Sequence, residues 1–288
     1  LELIVIRIGI VGAENSHTVA IARTLNVQKK VPGCRVVSVW GETRAYAKNA
    51  AEKGEIEAIV RNPADMIGSV DAAILDHRHP KHHLSAAKDL LEAKIPLFID
   101  KPFCYRTREG KAFLARAKQL RVPVTSFSVL PKQQSFADLK KKVRKLGKIR
   151  SVISSGPADI KSKYGGIFFY GIHQIDMVVR LLGNDVTHVQ LNRGKGGHTA
   201  TLYSASGAIS TMNLFGEFHV SVIGEKGRVD QTITFDEAVY LRGIKDFCRM
   251  FKTGKTDETY ASIMTPVAVL EALEKSVEQR RKIKVPTI

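Results

Sequence analysis

Three stretches of this 288-residue chain gather side chains and backbone groups that can hold a nucleotide or move a proton. Residues 9–17 read GIVGAENSH, an apolar run that stops at a glycine and opens a helix. Such a turn presents backbone N–H groups and a helix dipole to a diphosphate. On the Gly-x-Gly-x-x-Gly pattern, Gly12 holds the first place, Glu14 the second and His17 the third. Gly9, Gly12, Ala13, Asn15, Ser16 and His17 are therefore candidate cofactor-binding residues. A carboxylate at Glu14 would repel a diphosphate unless it swung outward, and Asn15 or Ser16 could instead cap the helix of a turn that binds nothing. Beyond the second apolar run, Glu42 occupies the place of the acid that bonds the adenosine ribose, while Arg44 could pair with a 2′-phosphate. NAD and NADP both stay open.

The second stretch is Asp100-Lys101-Pro102-Phe103, directly after the apolar run LFI. A lysine at a strand's carboxyl end, next to proline, is held at a crevice where burial and neighbouring charge tune it for proton transfer. The plain alternative is a surface ion pair. The third, residues 164–176, reads YGGIFFYGIHQID: two glycines, aromatic rings and a histidine entering a helix, the makings of an apolar pocket with one acid/base group. His173 and Asp176 stand three apart and share a helix face, so the carboxylate could orient the imidazole. Tyr170 and Asp176 are candidate substrate contacts, and a satisfied core histidine is the alternative. Residues 76–83, DHRHPKHH, tempt with a metal, but Arg78 and Lys81 among the histidines and a single carboxylate oppose a dication. No metal is expected there; the stretch reads as a ligand-binding loop.

The elements that must place these groups fall into two grammars. Up to residue 125, short apolar runs alternate with amphipathic stretches: strands 4–11, 35–40, 72–75, 97–99 and 122–127, helices 18–26, 45–53, 83–93 and 108–120. That is a doubly wound, parallel α/β domain, the Rossmann arrangement, over 1–125. Residues 126–288 predict helix 135–146, strand 149–155, helix 172–182, and five strands at 186–192, 199–204, 208–215, 219–224 and 228–235. Helices 238–252 and 262–279 and a tail at 283–286 close an α+β domain with an open, mainly antiparallel sheet.

The chain carries 45 Lys and Arg against 28 Asp and Glu, net +17, which favours anionic ligands. The densest basic run, residues 140–150, contains no aromatic residue to stack a base, so it reads as a solvated helix face and nucleic acid is disfavoured. Three cysteines, Cys34, Cys104 and Cys248, are too scattered for a zinc knuckle and odd in number for a disulfide framework, which fits a reducing cytoplasm. No apolar run approaches the ~20 residues of a membrane span, so no membrane partner is expected.

Taken in order, these motifs resemble the glucose-fructose oxidoreductase, inositol dehydrogenase and rhizopine-catabolism (Gfo/Idh/MocA) family. RIGIVGA resembles its first strand and turn, and FIDKPF its Glu-Lys-Pro motif with Asp100 for the Glu. GGIFFYGIHQID resembles its G-G-x-x-x-D-x-G-x-H-x-x-D segment, and His83 matches the histidine after its third-strand loop. The resemblance implies an NAD(P)-dependent oxidoreductase that transfers hydride between nicotinamide and a carbinol carbon of a sugar, sugar acid or polyol. It further implies that Lys101 contacts substrate and nicotinamide ribose, that His173 is the acid/base, that His83 belongs to the cofactor region, and that the open sheet pairs copies into a dimer or tetramer. Two positions depart from the pattern: Phe169 replaces an aspartate and Glu14 a loop glycine. They sustain an alternative, a non-catalytic nucleotide- or ligand-binding sensor that keeps the fold. Loss of the aspartate, with Arg78 and Lys81 retained, also raises the expectation of an anionic small-molecule substrate.

Overall fold

The computed structural model describes residues 5–288, so the predicted start of the first strand at residue 4 lies outside the described residues. The chain divides into two compact units, one of residues 1–104, 108–127 and 240–259, the other of 105–107, 128–239 and 260–288.

In the first unit, β1 (Ile6–Val11) leads into α1 (Ser16–Ala22), which runs on as a π-helical turn over Arg23–Val27. There follow β2 (Cys34–Trp40), α2 (Arg44–Gly54), β3 (Ala58–Ile59), β4 (Ala72–Leu75), α3 (His83–Glu92), β5 (Leu97–Ile99), α4 (Thr107–Leu120) and β6 (Val124–Thr125). The strands form one parallel sheet in the order β3-β2-β1-β4-β5-β6. All four residues of β4 and all three of β5 are buried, which is why these strands read as unbroken apolar runs. Strand order reverses between β1 and β4, and in open α/β sheets ligands bind at the carboxyl ends of strands beside such a reversal. The two-residue β3, not predicted from the sequence, is an edge strand whose residues are both exposed.

The second unit begins with α5 (Gln134–Val143), β7 (Ile149–Ser155) and α6 (Phe168–Leu182). Strands β8 (Val186–Arg193), β9 (His198–Ser204), β10 (Ile209–Asn213), β11 (His219–Gly224) and β12 (Gly227–Thr232) follow, and after α7 (Leu241–Thr253) come α8 (Tyr260–Gln279) and β13 (Ile283–Lys284). The sheet order is β12-β11-β7-β10-β9-β8-β13, antiparallel except where β7 meets β10. Alternate residues such as Val152, Leu202, Met212 and Val220 join Ile175, Val179 and Leu270 in the core beneath α6 and α8. The mainly antiparallel sheet expected from the sequence is thus present.

Helix α7 departs from the expected single division after residue 125, because it belongs to the first unit. Its apolar face, Ile244, Phe247, Cys248 and Phe251, packs into the first unit's core. Phe247 stacks on Phe98 at 4.6 Å, and Phe98 lies 5.1 Å from Phe127. Residues 105–107 go the other way: Arg106 pairs with Glu274 at 2.7 Å, and the Thr107 N–H donates to Glu271 at 2.8 Å. Helical spacing shows that a face is apolar but not which core receives it. Among the described residues no helix is long and apolar enough to cross a membrane, and all three cysteines are free and buried.

Candidate functional site

The loops after β1, β2, β4 and β5 gather the first unit's polar chemistry. Gly12 follows β1 with φ +107, and a Cβ there would lie 2.7 Å from the backbone of Asp76 and His77, so only glycine fits. The glycine is needed by the close approach of the β4 loop. Gly9, one of the predicted cofactor residues, sits inside β1, where a Cβ would meet Met66 Sδ at 2.5 Å. The N–H groups of Ala13 and Glu14 both donate to Glu42 Oε2, at 2.8 and 2.9 Å. The other oxygen, Glu42 Oε1, is buried without a hydrogen-bond partner. A buried carboxylate oxygen left bare is costly. Arg44, by contrast, is exposed at the start of α2.

Behind this loop lies a buried carboxyl pair. Asn15 caps α1, accepting from the His17 N–H at 3.3 Å, and its Nδ2 donates to Asp76 Oδ1 at 2.9 Å and Asp100 Oδ2 at 3.3 Å. Ser16 begins α1 and is exposed. His17 Nδ1 lies 3.3 Å from Asp100 Oδ2, and Lys101 Nζ lies 3.7 Å from the same oxygen. The Thr18 hydroxyl is 2.8 Å from Gly12 O and 2.5 Å from Asp76 Oδ2. One hydroxyl hydrogen serves only one of those oxygens, so both contacts are satisfied when Asp76 carries a proton of its own and donates it to Thr18. Electrostatics agree: burial, followed by repulsion from Asp100, pushes the Asp76 carboxyl well above the usual range. Burial acts on Asp100 in the same sense, but Lys101 and His17 outweigh it and hold that carboxyl below the usual range.

His17, Asp76 and Asp100 bring potential metal-ligating atoms within 4.8 Å of one another. Lys101 already supplies the positive charge beside Asp100, and a protonated Asp76 is a poor ligand, so the donor set does not suit a dication. His83 is fully buried with Nδ1 3.0 Å from Pro102 O and Nε2 2.8 Å from His77 O. It ties the β4 loop to the Lys101-Pro102 turn, and burial lowers its pKa against those carbonyl contacts. His77 is driven down to about 3, first by burial and then by His83 and His82.

In the second unit, α6 is broken at its first turn. Phe169 (ψ 120) and Tyr170 (φ 65) leave helical geometry, and the regular helix resumes at Gly171. A positive φ in an aromatic residue is a strained conformation, and strain of this kind gathers at functional sites. It puts the half-exposed Tyr170 ring edge-on to His173 at 5.5 Å. Phe218 stands on His173 at 5.9 Å, and Phe169 packs between Tyr164 and Tyr170 at 5.1 and 4.9 Å. The imidazole is largely buried, and its Nδ1 pairs at 2.7 Å with Ser128 Oγ, a residue that no motif singles out. Asp176 accepts from the Ser128 N–H at 3.0 Å and from Arg180 Nε at 2.7 Å. Ser128 lies 45 residues from His173, so no spacing rule could have paired them.

Residues 6–127 match the model of an oxidoreductase family with an NAD-binding Rossmann fold, GFO_IDH_MocA. No curated protein matches the chain. Among solved structures, a probable dehydrogenase from Thermotoga maritima is 21% identical with a TM-score of 0.80, over 96% of this chain and 98% of that one. Myo-inositol dehydrogenase from Lactobacillus casei, in complex with NAD(H) and myo-inositol, is 17% identical with a TM-score of 0.83, over 99% and 98%. Scyllo-inositol dehydrogenase from the same organism, with bound NAD(H) and scyllo-inositol, is 15% identical with a TM-score of 0.84, over 98% and 100%. At these identities the likeness is one of fold, and it extends over the whole length. The family match covers the Rossmann loops described above: over residues 6–127 the chain is similar to the GFO_IDH_MocA oxidoreductases with an NAD-binding Rossmann fold.

Proposed function

We propose that the protein is an NAD-dependent dehydrogenase that oxidises a carbinol carbon of a small polyhydroxylated molecule and runs in both directions. The observation that carries this reading is the Glu42 carboxylate, which braces the Ala13 and Glu14 N–H groups with one oxygen and keeps the other buried and bare. That bare acceptor suits a ribose hydroxyl, and its negative charge disfavours a 2′-phosphate, so NAD is preferred to NADP. Gly12, Ala13, Asn15 and Ser16 would border the diphosphate, and the proton on Asp76 removes one negative charge from beneath it. When bound, the nicotinamide takes up or gives back hydride at C4.

The chain's own residues supply position and the proton path. His173 takes the proton of the substrate hydroxyl as hydride leaves and returns it in the reverse direction. Lys101, braced beside Asp100, bonds the substrate hydroxyl and the nicotinamide ribose. Tyr170 forms an apolar wall beside the imidazole, and Asp176 holds the Ser128 backbone in place. The inositols that accompany NAD(H) in two similar structures support a cyclic polyol or sugar as the substrate class. Phe169 in place of an aspartate, with Arg78 and Lys81 on the β4 loop, supports a substrate that carries a carboxylate or phosphate. On the sheet face away from α6 and α8, Ile153 and Ile209 are 38% and 48% exposed, which suits pairing with a second copy into a dimer or tetramer. The buried free thiols fit the cytoplasm.

Trp40, the sole tryptophan, ends β2 two residues before Glu42 and reports on this loop. Titration with NADH should change its fluorescence saturably below millimolar concentration, with NADPH at least about tenfold weaker and Glu42→Ala weakened by a similar factor. No response to either nucleotide at millimolar concentration would overturn the assignment.

A further inference from the structure

We infer that Ser128 is a positioning residue for acid/base chemistry at His173, its hydroxyl supporting the imidazole in either tautomer; the inference rests on the dehydrogenase reading above. Ser128 Oγ lies 2.7 Å from His173 Nδ1, and both residues are buried. A serine hydroxyl donates one hydrogen and accepts through two lone pairs. It can donate to a bare Nδ1, leaving the hydrogen on Nε2, or rotate and accept from Nδ1–H, leaving Nε2 bare. With Nδ1 engaged in both cases, the proton traded with substrate moves at Nε2. A carboxylate in the same place would accept only, pinning the hydrogen on Nδ1 and favouring the imidazolium. A hydroxyl serves a reaction that must give and take the same proton in alternate directions.

The surroundings hold this hydroxyl in place. The Ser128 N–H donates to Asp176 Oδ2 at 3.0 Å, and Arg180 Nε occupies Asp176 Oδ1 at 2.7 Å. The Leu130 N–H reaches Ser128 Oγ at 3.3 Å, which takes one lone pair and leaves the second and the hydrogen for Nδ1. On its own helix, Asp176 and Arg180 pair with each other one turn beyond the imidazole. From the neighbouring segments come Ser128 and the uncharged ring of Phe218, and from the broken first turn the phenol of Tyr170. Asp176 therefore acts on His173 through the serine that it anchors.

The test compares Ser128→Ala with Ser128→Thr. Ser128→Ala should lower kcat about tenfold while leaving NADH affinity unchanged, and Ser128→Thr, which keeps the hydroxyl, should restore most of the rate. The imidazolium donates a charge-assisted bond to Oγ, stronger than the neutral pairing, so its loss in Ser128→Ala should move the acid limb of the kcat profile to lower pH. Wild-type kcat and an unmoved profile in Ser128→Ala would overturn the inference. Histidine nitrogen NMR gives a readout independent of turnover: the Nδ1 resonance of His173 should shift in Ser128→Ala and stay in Ser128→Thr. An unshifted resonance in Ser128→Ala refutes the hydroxyl's role even if the chain proves inactive, whereas a shifted one beside an inactive wild type would sink only the dehydrogenase reading.

Discussion

The two units handle buried polar groups in opposite ways. In the first, two carboxyls, a histidine and a lysine are packed so closely that burial and repulsion raise the pKa of Asp76 while Lys101 and His17 lower that of Asp100. In the second, a single imidazole is set among aromatic rings and held by a neutral hydroxyl. The contrast follows from the work proposed for each. A loop that must receive an anionic dinucleotide gains from having its acids neutralised or paired in advance. A group that must exchange a proton in both directions gains from a partner that can pair with it in either protonation state.

The largest effects should come from the groups to which the proposed function gives the chemistry. His173→Ala and Lys101→Ala should each lower turnover on the order of a hundredfold or more without unfolding the chain, as measured by steady-state rates beside circular dichroism. Within the carboxyl pair the comparison sharpens. Asp100→Asn leaves Lys101 without its counter-charge and should cost about 3 kcal/mol in urea unfolding. Gly12→Ala forces a Cβ to within 2.7 Å of the Asp76 and His77 backbone at φ +107, and about 2 kcal/mol is expected by the same measurement. Asp76→Asn, which keeps the shape of the protonated carboxyl, should cost less than about 1 kcal/mol when measured below pH 3.8, where that group is protonated in both states.

The pH dependence carries the same asymmetry. For Asp76 the folded state favours the proton, so the stability it contributes is full below the ordinary value of 3.8 and is lost as pH rises through its raised folded pKa. Asp76→Asn should therefore flatten the fall in stability as pH rises above 3.8. His77 works in the other direction: its folded pKa of about 3 lies below the ordinary 6.5, so its contribution is full above 6.5 and is lost as pH falls through 3. His77→Leu should remove up to ~1 proton of uptake from acid unfolding, seen as a shallower slope of stability against pH. An unchanged acid slope would show that this ring is not held neutral.

Much of the first unit was legible because its strands are buried on both faces; β4, at 72–75, and β5, at 97–99, have the bounds that their apolar runs predict. The place of Glu42 just past β2 was also legible, since the apolar run before it fixes where that strand ends. The carboxyl pair was not, because Asp76 and Asp100 meet only through the parallel pairing of β4 with β5. Asp76 read as part of a histidine-rich loop, and its neutrality depends on burial, which sequence does not display. In the second unit the alternation of strands could be read, but the broken turn at Tyr170 could not, since backbone φ leaves no mark on an aromatic residue. The partner of His173 stayed hidden for a similar reason: one serine among many, brought close by the tertiary fold. Helix α7 displayed its apolar face plainly and withheld its destination.

The central claim is tested most directly by following NADH formation from NAD with a panel of matched neutral and anionic sugars and polyols, using wild type and His173→Ala. The account predicts that at least one such alcohol reduces NAD with the wild-type chain, the anionic member of its pair being favoured. His173→Ala should lose that turnover on the order of a hundredfold while still changing Trp40 fluorescence with NADH. Equal turnover in the two proteins, or NADH binding with no reduction of NAD by any alcohol in the panel, would contradict it.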